Sequence, residues 1–224
     1  EGVAAVAIAA AGGVYAMNNT TEVVGAEVHG ESSYIWRASV GPSGEIDVTV
    51  RPLYEAIISN DLVETRRLLE SGVSPNILLN PQGWSSVMVA IRLGHSEIVN
   101  ELVNYGANLN YISKGPVEKT PLRVAMEAEI HYVVENGHRP DISNRLTNTI
   151  LDKGADINLT YGYDTDIAID AAILGQLEFV LELLSRGYNR DVPRLGEVLR
   201  LRAYDNEGEA LRAEILRRIE GPPR

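Results

Sequence analysis

Apolar residues recur at helical spacing along most of the chain after residue 50. Clear series are Ile98, Val99, Leu102 and Val103, and then Leu177, Val180, Leu181 and Leu184. Residues three or four positions apart lie on the same face of a helix, so each series predicts an amphipathic helix with one buried face. The pattern therefore predicts a mainly α-helical region over residues 51–224.

The ends of the predicted helices repeat along this region. Four segments close with two apolar residues, two further residues and a glycine, and these glycines are Gly72, Gly106, Gly154 and Gly187. Successive glycines are separated by 34, 48 and 33 residues. Glycine adopts, without steric cost, the left-handed backbone conformation that commonly ends a helix. Each of the four is therefore predicted to follow a helix C-terminus.

The beginnings of the units are also alike. Units open at Pro52, at Ser85 and at Thr120, each time with a short apolar stretch that predicts a helix. Thr120 suits the N-cap position, and the proline after it suits the first helical position. Gly94 and Gly175 interrupt the pattern before a second amphipathic series begins. Each unit is therefore predicted to contain two short helices.

This arrangement resembles the ankyrin repeat, a unit of about 33 residues with a T-P-L-H-x-A opening, two helices and a β-turn. The resemblance covers residues 51–192 in about four repeats. It implies a mainly α ankyrin-like helical-repeat solenoid, with a β-turn finger joining consecutive repeats. Residues 193–220 depart from the motif but keep amphipathic spacing, and we predict that they form the C-terminal capping helices that a solenoid needs.

Two repeats depart from the ankyrin pattern. The third is about 14 residues too long, and the excess is predicted to form a surface loop at residues 130–141, between its two helices. The fourth opens at Thr165, and Asp170 stands where the pattern has a small core residue. Its first helix is therefore predicted to be shifted or irregular.

The first 50 residues are predicted to form a separate N-terminal segment. Residues 2–17 carry no charge, and three interpretations are open. They are the remainder of a secretory signal, a short membrane anchor, or two buried strands, 3–9 and 14–18, with a turn at Gly12 and Gly13. Either membrane-related interpretation indicates the cell envelope, with the protein periplasmic or membrane-anchored. Otherwise a cytoplasmic location is expected.

Residues 20–50 show a different pattern, with short segments rich in β-branched and aromatic residues. Three such segments, 22–28, 34–40 and 45–50, are separated by glycine and serine-containing stretches. This composition is typical of strands joined by turns. We predict a small β-meander, which completes a β-rich N-terminal segment ahead of the helical repeats.

Charge and cysteine content narrow the classes of partner and chemistry. The net charge of −11 disfavours general binding to nucleic acid. An acidic surface suits a basic partner, such as a basic enzyme or toxin. The chain has no cysteine, which excludes disulfides, thiolate metal sites and cysteine nucleophiles.

No group of residues forms a catalytic constellation or a strong metal motif. His131 and His138 lie near three glutamates, at positions 127, 129 and 135, but without the spacing of a zinc site. His95 follows a glycine where the ankyrin family commonly has histidine, which implies a structural role. The acidic stretch at 164–170 lacks the glycine and glutamate of a calcium loop and is better explained as helix capping. We therefore predict a protein that is not an enzyme and has no cofactor.

The resemblance implies that partners bind the concave side, formed by the finger tips and the first helix of each repeat. Aromatic residues at predicted finger positions are Trp84, Tyr111, Tyr161 and Tyr163. Large aromatic side chains on exposed loops dominate many binding hot spots. First-helix positions on the same side include Arg92, Leu93 and Glu127. These seven residues are the predicted partner-binding site.

Two hypotheses for function follow. The first is a protein–protein interaction module, either an adaptor or an inhibitor of the immunity type, that covers one partner with its concave face. The alternative is an accessory structural subunit of a membrane protein complex, held by residues 2–17 and with membrane contact through that segment. Ankyrin scaffolds support unrelated specificities, so the fold does not name the partner.

Overall fold

The computed structural model describes residues 7–10, 13–17, 22–29, 32–39, 50–78, 83–114, 116–136, 145–162, 164–204 and 206–220. Up to residue 50, and over 132–136 and at residue 145, this description is of the backbone alone. The chain forms two compact units, Glu1–Ala128 and Glu129–Arg224. The fold is mainly helical, as the sequence predicts.

The N-terminal segment contains four strands in one antiparallel sheet. They are β1 (Ala7–Ala10), β2 (Gly13–Met17), β3 (Glu22–His29) and β4 (Ser32–Ser39), paired in chain order. Of the three interpretations of residues 2–17, this pairing corresponds to the two strands, with Ala10 opposite Gly13. The predicted third strand of the meander falls mostly outside the described residues, and Val50 begins a helix instead. Within the described ranges, no helix has both the length and the apolar character needed to cross a membrane.

Two helix pairs follow in the first unit. They are α1 (Val50–Ile58) with α2 (Leu62–Glu70), and α3 (Ser86–Arg92) with α4 (Ser96–Asn104). The first helices α1 and α3 pack side by side, and so do the second helices α2 and α4. The apolar series of the sequence forms the core between them, where the fully buried side chains include Leu53, Ile57, Ile91, Ile98 and Leu102.

The glycines at the helix ends have the predicted left-handed conformation. The φ angle is 95° at Gly72, 89° at Gly106, 95° at Gly154 and 96° at Gly187. A Cβ built on any of the four would have no heavy atom within 4 Å. The backbone conformation, and not a lack of space, therefore requires glycine at these positions.

Consecutive repeats are joined by an asparagine four residues after the helix-ending glycine. Asn76 donates from Nδ2 to the carbonyl oxygen of Gly106 at 2.9 Å, and its Oδ1 accepts from the amide of Asn108 at 2.7 Å. In the second unit, Oδ1 of Asn158 accepts from the amide of Asn189 at 3.0 Å. Each of these side chains satisfies backbone groups of the next repeat, so the same connection recurs along the chain.

The prediction of a surface loop over residues 130–141 is wrong for its described part. Helix α5 (Pro121–Asn136) has 16 residues, whereas α3 has seven, and α6 (Arg145–Asp152) follows. In the other repeats a residue with positive φ lies two positions after the end of the first helix, namely Asn60, Gly94 or Gly175. The equivalent residue in the third repeat is Glu129, which does not favour that conformation. The helix therefore continues through residues 130–136.

Glu129 also holds the start of α6. Its carboxylate accepts hydrogen bonds from the backbone amides of Leu146 and Thr147, at 2.6 and 3.0 Å, and from the Thr147 hydroxyl at 3.0 Å. These amides lie in the first turn of α6, where no intrahelical acceptor exists. Burial raises the pKa of Glu129, although the three hydrogen bonds oppose that shift. Glu129 therefore does not end α5, and its side chain caps the start of α6.

The fourth repeat is regular, contrary to the prediction of a shifted first helix. Strands β5 (Thr160–Tyr161) and β6 (Thr165–Asp166) form its finger, and α7 (Ile167–Ile173) has seven residues like α3. Asp166 caps α7 by accepting from the amides of Ala168 and Ile169, each at 3.0 Å. This confirms the prediction that the acidic stretch caps a helix.

The C-terminal part of the second unit contains three further helices. These are α8 (Leu177–Ser185), α9 (Val192–Leu201) and α10 (Asn206–Glu220). Helix α10 packs on both α8 and α9, and fully buried contacts come from Leu195, Leu199 and Ile215. The predicted capping segment 193–220 corresponds to α9 and α10.

Candidate protein-binding surface

Two neighbouring fingers of the first unit meet at Trp84. The Nζ atom of Lys119 lies 5.8 Å from the centroid of the Trp84 ring, within the range of a cation–π interaction. Gly83 has a φ of 68°, and a Cβ there would lie 3.3 Å from the amide nitrogen of Lys114 and 3.7 Å from Oη of Tyr111. We refer to Gly83, Trp84, Tyr111, Lys114 and Lys119 as the finger cluster.

The second of these fingers is fixed by Ser113, which is fully buried. The amide of Ser113 donates to the carbonyl oxygen of Lys119 at 2.9 Å, and the Lys119 amide donates to Oγ of Ser113 at 2.9 Å. These two bonds close the turn between residues 113 and 119. The turn holds the Lys119 side chain near Trp84, so the geometry of the cluster is set before any partner binds.

Tyr111, a member of this cluster, is half-buried. Its hydroxyl is buried and has no hydrogen-bond partner among the residues that the structure describes. Burial raises the pKa of Tyr111. The buried hydroxyl lies close to Gly83 of the preceding finger, so Tyr111 is less available to a partner than the sequence predicts for an aromatic residue at a finger tip.

Glu127, another predicted site residue, is engaged by two cations of the same region. Its carboxylate forms ion pairs with Nζ of Lys119 and with Nε of Arg123, the latter at 3.2 Å. All three side chains are partly buried. Glu127 therefore orients Lys119 and Arg123, and it is not a free rim charge.

The C-terminal ends of the first helices expose apolar side chains. The exposed fraction is 39% for Ile58 at the end of α1 and 45% for Leu93 after α3. Arg92, the last residue of α3, is also exposed. Ile58 and Arg92 occupy equivalent positions, two residues before the positive-φ residues Asn60 and Gly94. The exposure expected of Arg92 and Leu93 is thus present.

Tyr161 is not exposed, and this part of the sequence prediction is wrong. The residue is only 3% exposed, because its hydroxyl reaches inward and donates to Oδ2 of Asp170 at 2.8 Å. A buried carboxylate needs such a donor. The sequence pairs an aromatic residue with an aspartate nine positions later, and that pairing indicates the structural role. Tyr163 lies outside the described residues.

Sequence reasoning also missed exposed apolar residues in the second unit. Ile173 and Leu174, at the end of α7, are 41% and 45% exposed. They precede Gly175 as Arg92 and Leu93 precede Gly94. The sequence signal for their exposure is their position directly before the turn glycine, Gly175.

The histidine and carboxylate candidates have other roles where they are described. Nδ1 of His95 lies 2.8 Å from the carbonyl oxygen of Ile57 and donates to it, which connects the first two repeats as the resemblance implies. Glu127 and Glu129 are engaged as described above. In the part of the chain that the structure describes, no group of three or more histidine and carboxylate residues could hold a metal ion.

Comparisons with known proteins agree with this geometry. Residues 44–113 match the family model for ankyrin repeats in three copies. An ankyrin repeat protein of fowlpox virus (strain NVSL) is 30% identical over 142 residues, which span 63% of this chain and 30% of the viral protein. Axonemal dynein heavy chain 12 of Bos taurus is 27% identical over 118 residues, which span 53% of this chain and 26% of that protein. The chain thus spans less than a third of each relative.

Proposed function

We propose that this chain, in which residues 44–113 match ankyrin repeats, binds another protein through the finger cluster and the exposed ends of the first helices in its first unit. The observation that carries this proposal is the combination of Trp84 with Ile58 and Leu93. It places a large aromatic ring and two exposed aliphatic side chains in neighbouring repeats. Buried aromatic anchors ringed by weaker contacts are typical of binding hot spots.

The preset geometry of the cluster supports the same proposal. The closed turn at residues 113–119 and the ion pairs of Glu127 fix Lys119 beside Trp84. A surface that is ordered before binding loses little conformational entropy when a partner docks. The finer role that we propose is an adaptor or an inhibitor, in which the repeats cover one surface of the partner and carry out no chemistry.

The test uses affinity capture with matched variants. The purified chain and a Trp84→Ala, Leu93→Ala double variant are immobilised, and proteins captured from the native host are compared by quantitative mass spectrometry. Removing a central anchor typically costs on the order of 2 kcal/mol in affinity, or about thirtyfold, so a true partner should be depleted in the double variant.

The control is Val63→Ala, which removes an aliphatic side chain that is 79% exposed on α2, in a second helix. Circular dichroism checks that each variant is folded. Capture of the same proteins by all three folded chains would place the binding surface elsewhere.

A further inference from the structure

In the first unit, the fingers and first helices differ in net charge from the second helices. The fingers and first helices, with the start of α5, occupy residues 51–60, 74–94 and 109–128, and we refer to these as the finger side. The finger side has five basic residues and three acidic ones, a net charge of +2. The second helices and their flanking turns, residues 61–73 and 95–108, have two basic and five acidic residues, a net charge of −3.

Ion pairs leave different charges unpaired on these two sets of segments. Both basic residues of the second helices are paired, since Arg66 pairs with Glu101 at 2.8 Å and Arg67 pairs with Glu64 at 2.6 Å. On the finger side, Arg92 and Lys114 are both exposed and form no ion pair with any described residue. Arg92 ends α3 and directly precedes the exposed Leu93, whereas Lys114 belongs to the finger cluster with Trp84.

The exposed acids of the second helices show the opposite pattern. Asp61, Glu70 and Glu97 are exposed and form no ion pair with the described residues. Asp61 instead caps α2 by accepting from the amide of Glu64 at 2.9 Å. The overall charge of −11 is therefore not the charge of the proposed binding surface.

We propose that the partner contributes an acidic segment with at least one large apolar residue. The apolar residue contacts Trp84, Ile58 or Leu93, and carboxylates of the segment contact Arg92 and Lys114. This inference rests on the proposed function, because it assigns the chemistry of the partner to that same surface. It reverses the expectation from net charge, which favours a basic partner.

At physiological ionic strength, the charges close to a bound segment affect its affinity more than the net charge of the whole chain does. At an ionic strength of about 0.15 M the Debye length is roughly 8 Å, so a charge affects a bound segment mainly when it lies within about that distance. Complementary charges around an apolar contact increase the association rate and select between partners. We therefore expect Lys114 to favour acidic segments beside Trp84, and Arg92 to favour them beside Leu93.

The first experiment identifies the charge of the segments that bind. A phage-displayed library of random 16-residue peptides is selected on the immobilised full chain. We expect enriched sequences with net negative charge and at least one aromatic or leucine residue. Enrichment of basic sequences, or of none, would overturn the proposal.

The second experiment assigns the enriched peptide to the surface. Its dissociation constant is measured by fluorescence anisotropy for the native chain and for Arg92→Glu, Lys114→Glu. The matched control reverses two acids of the second helices, Glu70→Lys, Glu97→Lys. We expect the dissociation constant to rise at least about tenfold in the first variant and to change less than about twofold in the control. Equal changes in both variants would refute the assignment.

A third variant separates failure of this inference from failure of the proposed function. If the enriched peptides are basic and do not bind the Trp84→Ala, Leu93→Ala variant, the proposed surface is supported and the acidic partner is rejected. If acidic peptides bind this double variant as tightly as the native chain, the proposed function and the acidic partner are both rejected. If the enriched peptides are acidic and bind neither the Trp84→Ala, Leu93→Ala variant nor the Arg92→Glu, Lys114→Glu variant, the proposed function and the acidic partner are both supported.

Discussion

The hydroxyl of Tyr161 donates a hydrogen bond of 2.8 Å to Oδ2 of Asp170, and both residues are buried. The pair joins the finger of the fourth repeat to its first helix, α7. Thr165 lies 3.4 Å from the other carboxylate oxygen, so Tyr161 is the closer donor. This relationship explains how α7 accommodates an aspartate at a core position.

Replacing Tyr161 by phenylalanine should therefore destabilise the fold. The change leaves a buried carboxylate without its closest hydroxyl donor, and we expect a loss of about 1.5–3 kcal/mol in the free energy of unfolding. Urea denaturation followed by circular dichroism measures this difference. Tyr105→Phe, at an exposed position, is the control and should change stability by less than about 0.5 kcal/mol. Equal stability of the two variants would show that the bond contributes nothing.

Glu129 should be a second sensitive position. Glu129→Ala removes the acceptor of two backbone amides and one hydroxyl at the start of α6, so we expect a loss of about 1–3 kcal/mol in the free energy of unfolding. Glu129→Gln keeps one acceptor oxygen and should lose less. The exposed Glu70→Ala is the control, with an expected change below about 0.5 kcal/mol. An unchanged denaturation midpoint for Glu129→Ala would contradict this capping role.

The glycines that end the helices can be tested at Gly154, where φ is 95°. An L-residue in the left-handed region costs about 1–2 kcal/mol, and a β-branched residue costs more. We therefore expect stability to fall in the order glycine, asparagine, alanine, valine. Since a Cβ there would contact nothing within 4 Å, the loss must come from the backbone. A Gly154→Val variant with the native melting temperature would contradict this account.

Stability at alkaline pH should depend on Tyr188. Its hydroxyl is buried and donates to Oδ2 of Asp166 at 2.8 Å, and burial together with that bond raises its pKa well above the ordinary value of 10.0. Above pH 10 the unfolded chain therefore loses this proton more readily than the folded chain. The stabilisation is complete below that pH and declines as the pH rises towards the folded-state pKa.

The measurement is urea denaturation at several pH values between 8 and 11 for the native chain and Tyr188→Phe. The free energy of unfolding of the native chain should fall more steeply above pH 10, with an added slope approaching about 1.4 kcal/mol per pH unit. Other tyrosines titrate in both proteins and cancel in the comparison. Parallel curves would show that Tyr188 ionises equally in both states.

Much of the repeat architecture could be predicted because it depends on local signals. Gly72 and Gly154 mark helix ends through backbone conformation alone, and the apolar series mark the buried faces. The third repeat differs from its prediction because its extra length extends α5 through residue 136 and does not form a loop there. The more informative signal was the missing turn residue at Glu129, which lets α5 continue.

The candidate surface was harder to predict because side-chain direction depends on distant partners. Trp84 and Tyr161 are both aromatic residues near finger positions, yet one is partly exposed and the other is buried. The difference comes from Asp170, which draws the Tyr161 hydroxyl inward. Glu127 is likewise not a free charge, because Lys119 and Arg123 both form ion pairs with it.

The asparagine connections make each repeat a reporter on the one before it. The amide proton of Asn108 is held by the side chain of Asn76, and that of Asn189 by Asn158. Such a proton exchanges with solvent deuterium only after the side chain from the preceding repeat has released it. Exchange at these two amides therefore measures the opening of single repeat junctions in the native chain. Opening of these two junctions could be followed separately, without mutation and without unfolding the whole molecule.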